Sequence, residues 1–223
     1  MAMRLNRLVG YVGLVLMFCA SAQSQDGVIK GRVIDQQDVP VAGAHVTWLS
    51  LGRVSQAYAG AVAFAVTNGR GHFVVRRLAV GNRYNIYARK EDDNYPDMAL
   101  GFYNPKGDAV STTAVEAEKA VDVTIRVGPK AGRLNLNVTD AITGKPVSPT
   151  LEVKRIDTGA SFGRGGPASD PHLLPSDTDL TFSVSAPGYR TWYYPAGDKK
   201  HSVLLRLKPG EEKTLNIQLQ PGK

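Results

Sequence analysis

The chain has 223 residues, 43% of them hydrophobic and 8% aromatic, with a net charge of +7. Its basic residues are scattered, as in Arg76-Arg77, Arg89-Lys90 and Lys199-Lys200, without the aromatic-interleaved stripe that would point to nucleic acid. A single cysteine excludes a disulfide-stapled fold, so stability has to come from burial and sheet hydrogen bonds.

Residues 1–22 read as a secretory signal peptide. Arg4 and Arg7 supply the basic start, Val9 to Phe18 is an apolar run, and Ala20-Ser21-Ala22 fits the cleavage pattern. The run is short for a bilayer, so the mature chain is expected to be secreted or periplasmic, with no integral membrane segment. Met17-Phe18 before Cys19 does not fit a lipoprotein anchor, which needs a small residue there. The leader removes two basic residues and no acidic one, leaving 25 against 20, or +5. An evenly cationic exported surface favours solubility and weak attraction to anionic envelope polymers.

From residue 27 the pattern is that of strands. Gly31-Arg32-Val33-Ile34-Asp35 alternates and breaks at Gln36 to Val39, and Pro40 to Leu49 begins a second strand. Its alternation sets Val46 and Trp48 on one face and His45 and Thr47 on the other. Ala61 to Thr67 and His72 to Arg76 flank Asn68-Gly69, a pair that predicts a tight hairpin. Tyr84, Ile86 and Ala88 alternate next. Glu91 to Gly107 reads as a long polar and aromatic loop, and Val121 to Val127 closes the unit.

Residues 128–132, Gly-Pro-Lys-Ala-Gly, read as a linker. A second unit over 133–221 then repeats the layout. Leu134 to Asp140 alternates, Thr143-Gly144-Lys145 turns, and Leu151-Val153 and Leu180-Phe182-Val184 continue as strands. Thr158 to Pro171 replaces the tight hairpin with a looser loop. Tyr103-Asn104-Pro105-Lys106-Gly107-Asp108 returns ninety positions later as Tyr193-Tyr194-Pro195-Ala196-Gly197-Asp198. This self-similarity suggests one unit used twice. The expected fold class is all-β, as two tandem β-sandwiches.

Gly31-Arg32-Val33-x-Asp35 with Pro40-Val41-Ala42-Gly43-Ala44-x-Val46 resembles the carboxypeptidase regulatory-like family, with its transthyretin-like (prealbumin-like) sandwich. Thr67-Asn68-Gly69-x-Gly71-x-Phe73, Leu78-x-x-Gly81-x-x-Tyr84 and, in the second unit, Ala186-Pro187-Gly188-Tyr189 fit the same family. The resemblance implies starch-binding-like modules that are commonly exported, non-catalytic accessory or binding domains. Strand and turn motifs specify a fold and not an activity.

The site candidates are therefore binding residues. Tyr95, Phe102 and Tyr103 lie in one aromatic stretch; Arg190, Trp192, Tyr194 and Asp198 lie near its counterpart. An exposed platform of such rings, with Arg190 and Asp198 fixing orientation, would suit stacking on sugars. The competing reading is that the repeated Tyr-x-Pro-x-Gly-Asp packs a corner in each unit. Asp92, Asp93, Asn94 and Asp97 crowd hard oxygen ligands into a few residues and are the calcium candidates, against the default of a solvated loop. Lys30 on the first strand with an asparagine on a last strand are the types for an isopeptide bond, which needs a buried lysine with a lowered pKa. The histidines have no metal-ligand spacing, no G-x-S-x-G occurs, and no Cys/His pair is possible after leader removal. The chain reads as a non-enzyme without a required cofactor. Its expected partner is a polysaccharide or other envelope polymer, or alternatively an envelope protein met by strand addition.

Overall fold

The computed structural model describes residues 26–51, 64–107, 111–117, 119–165, 171–195 and 203–222. The expected leader and Asp198 lie outside the described residues. The protein is all-β, and its strands divide at Gly132 into two sandwiches of one topology. In the first, β1 (Asp26–Ile34), β4 (His72–Ala79) and β7 (Val121–Arg126) form a sheet in the order β4-β1-β7. Facing it, β2 (His45–Ser50), β3 (Ala65–Val66), β5 (Arg83–Arg89) and β6 (Ser111–Ala114) run β3-β2-β5-β6. In the second, β8 (Gly132–Asp140), β11 (His172–Leu174) and β14 (Glu212–Leu219) run β11-β8-β14. Their facing sheet is β10-β9-β12-β13, built from β9 (Thr150–Arg155), β10 (Ser161–Gly165), β12 (Leu180–Ser185) and β13 (Trp192–Tyr193).

Adding seven to each strand number of the first unit reproduces the second. In both units the first strand pairs in parallel with the last, Ile29 to Val121 and Arg133 to Glu212. The cores follow from period-2 burial. Ile29, Val33, Val46, Phe73, Tyr84, Ile86 and Ile125 fill the first; Leu134, Leu136, Leu151, Val153, Phe182, Val184 and Ile217 fill the second. As expected, Val46 is buried and Trp48 packs on the core, while His45 is exposed. Thr47, on the outer side, is nevertheless buried.

The turn at Asn68-Gly69 differs from the expected hairpin. The strands it joins do not pair with each other: β3 belongs to one sheet and β4 to the other. Asn68 Oδ1 accepts the N–H groups of Arg70 and His72 at 2.9 and 3.0 Å, an Asx-type turn set by the side chain. The residue with positive φ is Gly71, at 74°. A Cβ there would stand 2.6 Å from the Val33 carbonyl oxygen. Glycine is needed because the chain crosses between sheets close against β1.

Each unit also closes one corner with an aspartate–tyrosine pair. Asp35, just past β1, accepts Gln37 and Val39 N–H on Oδ1 and lies 3.5 Å from the Tyr95 hydroxyl. Asp140, at the end of β8, accepts Ile142 and Thr143 N–H on Oδ1 and the Tyr189 hydroxyl on Oδ2 at 2.8 Å. These pairs, and not the repeated Tyr-x-Pro-x-Gly-Asp, occupy equivalent places. Tyr103 lies in a turn before β6, whereas Tyr193 ends β13 and Tyr194 follows it. Tyr103, Trp192 and Tyr194 all pack on the second core. The expectation of one packed corner per unit is therefore corrected: Tyr103 of the first copy and Tyr194 of the second serve one core.

Lys30 is half-exposed and pairs with Asp122 across β1 and β7 at 3.4 Å. It lacks the burial that isopeptide chemistry requires.

Candidate functional site at the joint of the two sandwiches

The stretch after β5 builds the joint. Lys90 and Tyr95 exchange backbone hydrogen bonds of 2.9 Å, and Glu91–Asp93 forms a 3-10 turn between them. Asn94 ends that turn in the left-handed region, φ 66°, which asparagine tolerates better than most residues. Its two oxygens are thereby turned to the second unit. The Asn94 carbonyl accepts Ala131 N–H at 2.7 Å. Its side-chain Oδ1 accepts Arg133 Nε and Nη2 at 3.0 and 2.7 Å. Arg133 Nη2 also reaches the Glu91 carbonyl at 3.3 Å.

Residues 97–107 then fold into successive turns. Asp97 Oδ1 accepts Ala99 N–H, and Asn104, itself buried, donates its side-chain N–H to the Met98 carbonyl. The effect is to push Phe102 out of its own unit. It is 5% exposed and belongs to the second core, stacking on Phe162 at 5.4 Å between ring centres. The backbone crosses with it. Arg155 Nη1 donates to the Phe102 carbonyl at 2.9 Å, and the Tyr103 hydroxyl donates to the Leu173 carbonyl at 2.9 Å. Arg155 is 7% exposed and is neutralised by Asp157 at 2.6 Å. The hydrogen bonds from Arg155 hold the Asp157 carboxyl down to about 2.

The expected linker is correspondingly closed in. Gly128, Ala131 and Gly132 are buried. A Cβ on Gly128 would meet the Met98 side chain at 2.5 Å, and one on Gly132 would meet Leu207 Cβ at 2.4 Å.

A cleft of about 400 Å³ opens over this joint. Arg89, Glu91, Asp92, Asp97 and Tyr103 line it from the first unit; Arg133, Phe162 and His172 line it from the second. Arg89 Nη1 stands 3.6 Å from both Glu91 and Asp97. The cleft thus sets two guanidinium groups and three carboxylates around two aromatic walls. Such a surface offers donors, acceptors and ring faces for holding a ligand.

The aromatic candidates do not form one platform. Tyr95 and Phe102 are buried and present no open ring face, because one closes the Asp35 corner and the other fills the second core. The Tyr95 hydroxyl titrates above its usual range, from burial first and from Asp35 second. Tyr103 alone of that group lines the cleft. Trp192 and Tyr194 are half-buried and pack on Phe182 at 6.0 and 6.3 Å. Arg190 is exposed, with its backbone N–H bonded to the Gln220 carbonyl.

Of the calcium candidates, Asp93 pairs with Lys90 at 2.6 Å, Asp97 with Arg89, and Asn94 with Arg133. Asp92 is exposed at the cleft. Among the described residues no three His, Cys, Asp or Glu side chains gather as a metal site. Asp93, Asn94 and Asp97 are thus tied by lysine and arginine.

Arg133, Arg155 and Phe162 were not among the residues singled out from sequence. Arg155 carried a usable signal. It shares inward parity with Leu151 and Val153 on β9, and a charge at such a position needs a buried partner.

No protein-family model matches the chain, and no curated protein matches it. Among solved structures, it is similar to the Streptococcal ancillary pilin at 14% identity and a TM-score of 0.36, over 90% of this chain and 63% of that one. The Bacillus anthracis TIE protein gives 12% identity and 0.32, over 88% of this chain, which spans about a third (34%) of that protein. A shaft pilin, SpaA from Lactobacillus rhamnosus GG, gives 12% and 0.34, over 89% of this chain and 100% of that one. Likeness this low leaves the function of this chain to its own residues.

Proposed function

We propose that the chain is an exported, non-catalytic binding and structural module of the carboxypeptidase regulatory-like kind. Its two sandwiches act as one stiff body, and the cleft at their joint holds a short stretch of envelope polymer, polysaccharide in the first instance. The observation that carries this reading is Phe102: a side chain of the first unit completes the core of the second. Separating the units would expose that ring and break the buried Arg155 bond, so stiffness is built into the fold. A cleft spanning the joint keeps its shape for the same reason. Its volume is that of a site for a small ligand. Phe162 and Tyr103 supply ring walls for the apolar face of a pyranose, and Arg89 and Asp97 supply paired donors and acceptors for hydroxyl groups.

Titration calorimetry of the full chain with soluble oligosaccharides from bacterial envelope glycans tests it. Binding heat in the wild type that disappears in Phe162→Ala and Arg89→Ala is the expected result. Equal heats in all three proteins, or none with any glycan, would reject the polysaccharide assignment.

A further inference from the structure

The long sheet edges of the molecule are not alike. Among the described residues β4 pairs on one side only, and its pairing with β1 is interrupted: Gly27 faces Leu78 and Ile29 faces Val75. Arg76 and Arg77 thus bulge opposite Val28, with Arg77 at φ 61°. A bulge carrying two cations blunts an edge against strand addition. On β7, the Thr124 carbonyl accepts the Ser111 hydroxyl at 3.2 Å, and Asp122 and Arg126 are exposed beside it.

β14 has no bulge; its two charges, Glu212 and Lys213, stand at its start, and among the described residues the open side is engaged only past its end, where the Gln220 carbonyl accepts Arg190 N–H. It is eight residues long, pairs with β8 in unbroken register from Glu212 to Leu219, and among the described residues ends its sheet. The carbonyls of Glu211 and Leu219 point to the β8 side, accepting from Arg133 and Ala141. Alternation along a strand then turns the N–H and C=O of Glu212, Thr214, Asn216 and Gln218 to the open side. Among the described residues no backbone bond engages these groups. From Thr214 to Leu219 the strand has no proline, no glycine and no charge, the pattern of an edge open to pairing.

We infer that β14 is a self-association edge, whose partner is the β14 of a second copy of this chain in antiparallel register about Leu215. That register sets Glu212 against Gln218 and Thr214 against Asn216, so the four residues with outward backbone groups map onto one another. It sets Leu215 against Leu215 and Lys213 against Ile217 on the core-facing side, where Leu215 is half-buried. No two like charges are opposed, as cross-strand stability requires. The result is one continuous sheet, β11-β8-β14 running into its symmetry copy, closed by a two-fold axis. This inference is independent of the cleft and of any glycan.

Sedimentation of the full chain over a range of concentrations, with Cys19→Ser as background, reads the association. A monomer–dimer equilibrium is expected. Asn216→Pro should abolish it while leaving circular dichroism and the melting temperature near wild type, since the N–H removed faces the open side. Oxidised Leu215→Cys should form a covalent dimer, because directly opposed residues bring Cα atoms within disulfide reach. Lys213→Cys, four residues from its own copy, should not. A monomer at every concentration, a dimer indifferent to Asn216→Pro, or cross-linking of both cysteine variants alike would overturn the inference.

Discussion

The two sandwiches share a strand order but differ in how they are completed. The first unit closes its core with its own residues, from Ile29 to Val127. The second borrows Phe102 and, partly, Tyr103 from its neighbour. Their aspartate–tyrosine corners differ in the opposite sense. The Asp35–Tyr95 pair is long, at 3.5 Å, whereas Asp140–Tyr189 is tight, at 2.8 Å. Duplication of a topology thus leaves room for division of labour: one unit stands on its own core, and the other depends on being docked.

Two tryptophans, Trp48 in the first unit and Trp192 in the second, let this asymmetry be read unit by unit in single-tryptophan variants. The largest effect is expected from Phe102→Ala. Emptying a buried phenylalanine site costs about 3–5 kcal/mol, and the loss should appear in the denaturation curve reported by Trp192. A loss reported equally by Trp48 would mean that the first unit depends on the joint as much as the second does.

Arg155→Met comes next. It leaves the buried Phe102 carbonyl without a donor, an unsatisfied group costing about 1–3 kcal/mol. Denaturant unfolding should again show the second unit weakened first, and limited proteolysis should open the chain near residues 128–132. Resistance equal to wild type would place the strength of the joint elsewhere. Tyr103→Phe, which removes the neutral hydrogen bond to Leu173, should lower stability by about 1 kcal/mol without splitting the transition.

The smallest effect is a slope with pH. Backbone N–H of Thr143 and the Tyr189 hydroxyl draw Asp140 down to about 2 in the folded chain, against about 3.9 for a free side chain. A carboxylate depressed by folding stabilises the fold above its unfolded pKa, and that stability is lost as pH falls through the folded value. Stability followed at Trp192 should therefore decline between about pH 4 and about pH 2. Asp140→Asn should flatten the decline in part. Asp157, also at about 2 because of Arg155, acts in the same window, so the double variant should flatten it most.

Much of the architecture was legible because strand burial repeats every two residues. Leu180-Phe182-Val184 and Tyr84-Ile86-Ala88 announce their faces in the letters alone, and all six are buried. Asn68-Gly69 misled because a turn signal says that the chain reverses locally, not whether the flanking strands then pair or part to opposite sheets. The repeat at Tyr103 and Tyr193 misled for a related reason. Similar letters give similar local turns, but the surface on which a turn lands belongs to the rest of the molecule. The acidic run 91–97 read as a solvated loop with calcium candidates, and its tie to the second unit was not legible because Arg133, the partner of Asn94, is 39 positions away.

By itself the sequence determined the class: alternating apolar residues broken by glycine, proline and asparagine can bury one face only as sheets, and two such sets make two sandwiches. Only the tertiary structure decided that Phe102 leaves its own unit, that Arg155 finds a carbonyl 53 positions away, and that a cleft forms where the units meet. Periodicity is a property of neighbours along the chain, whereas docking depends on which distant surfaces exclude water together.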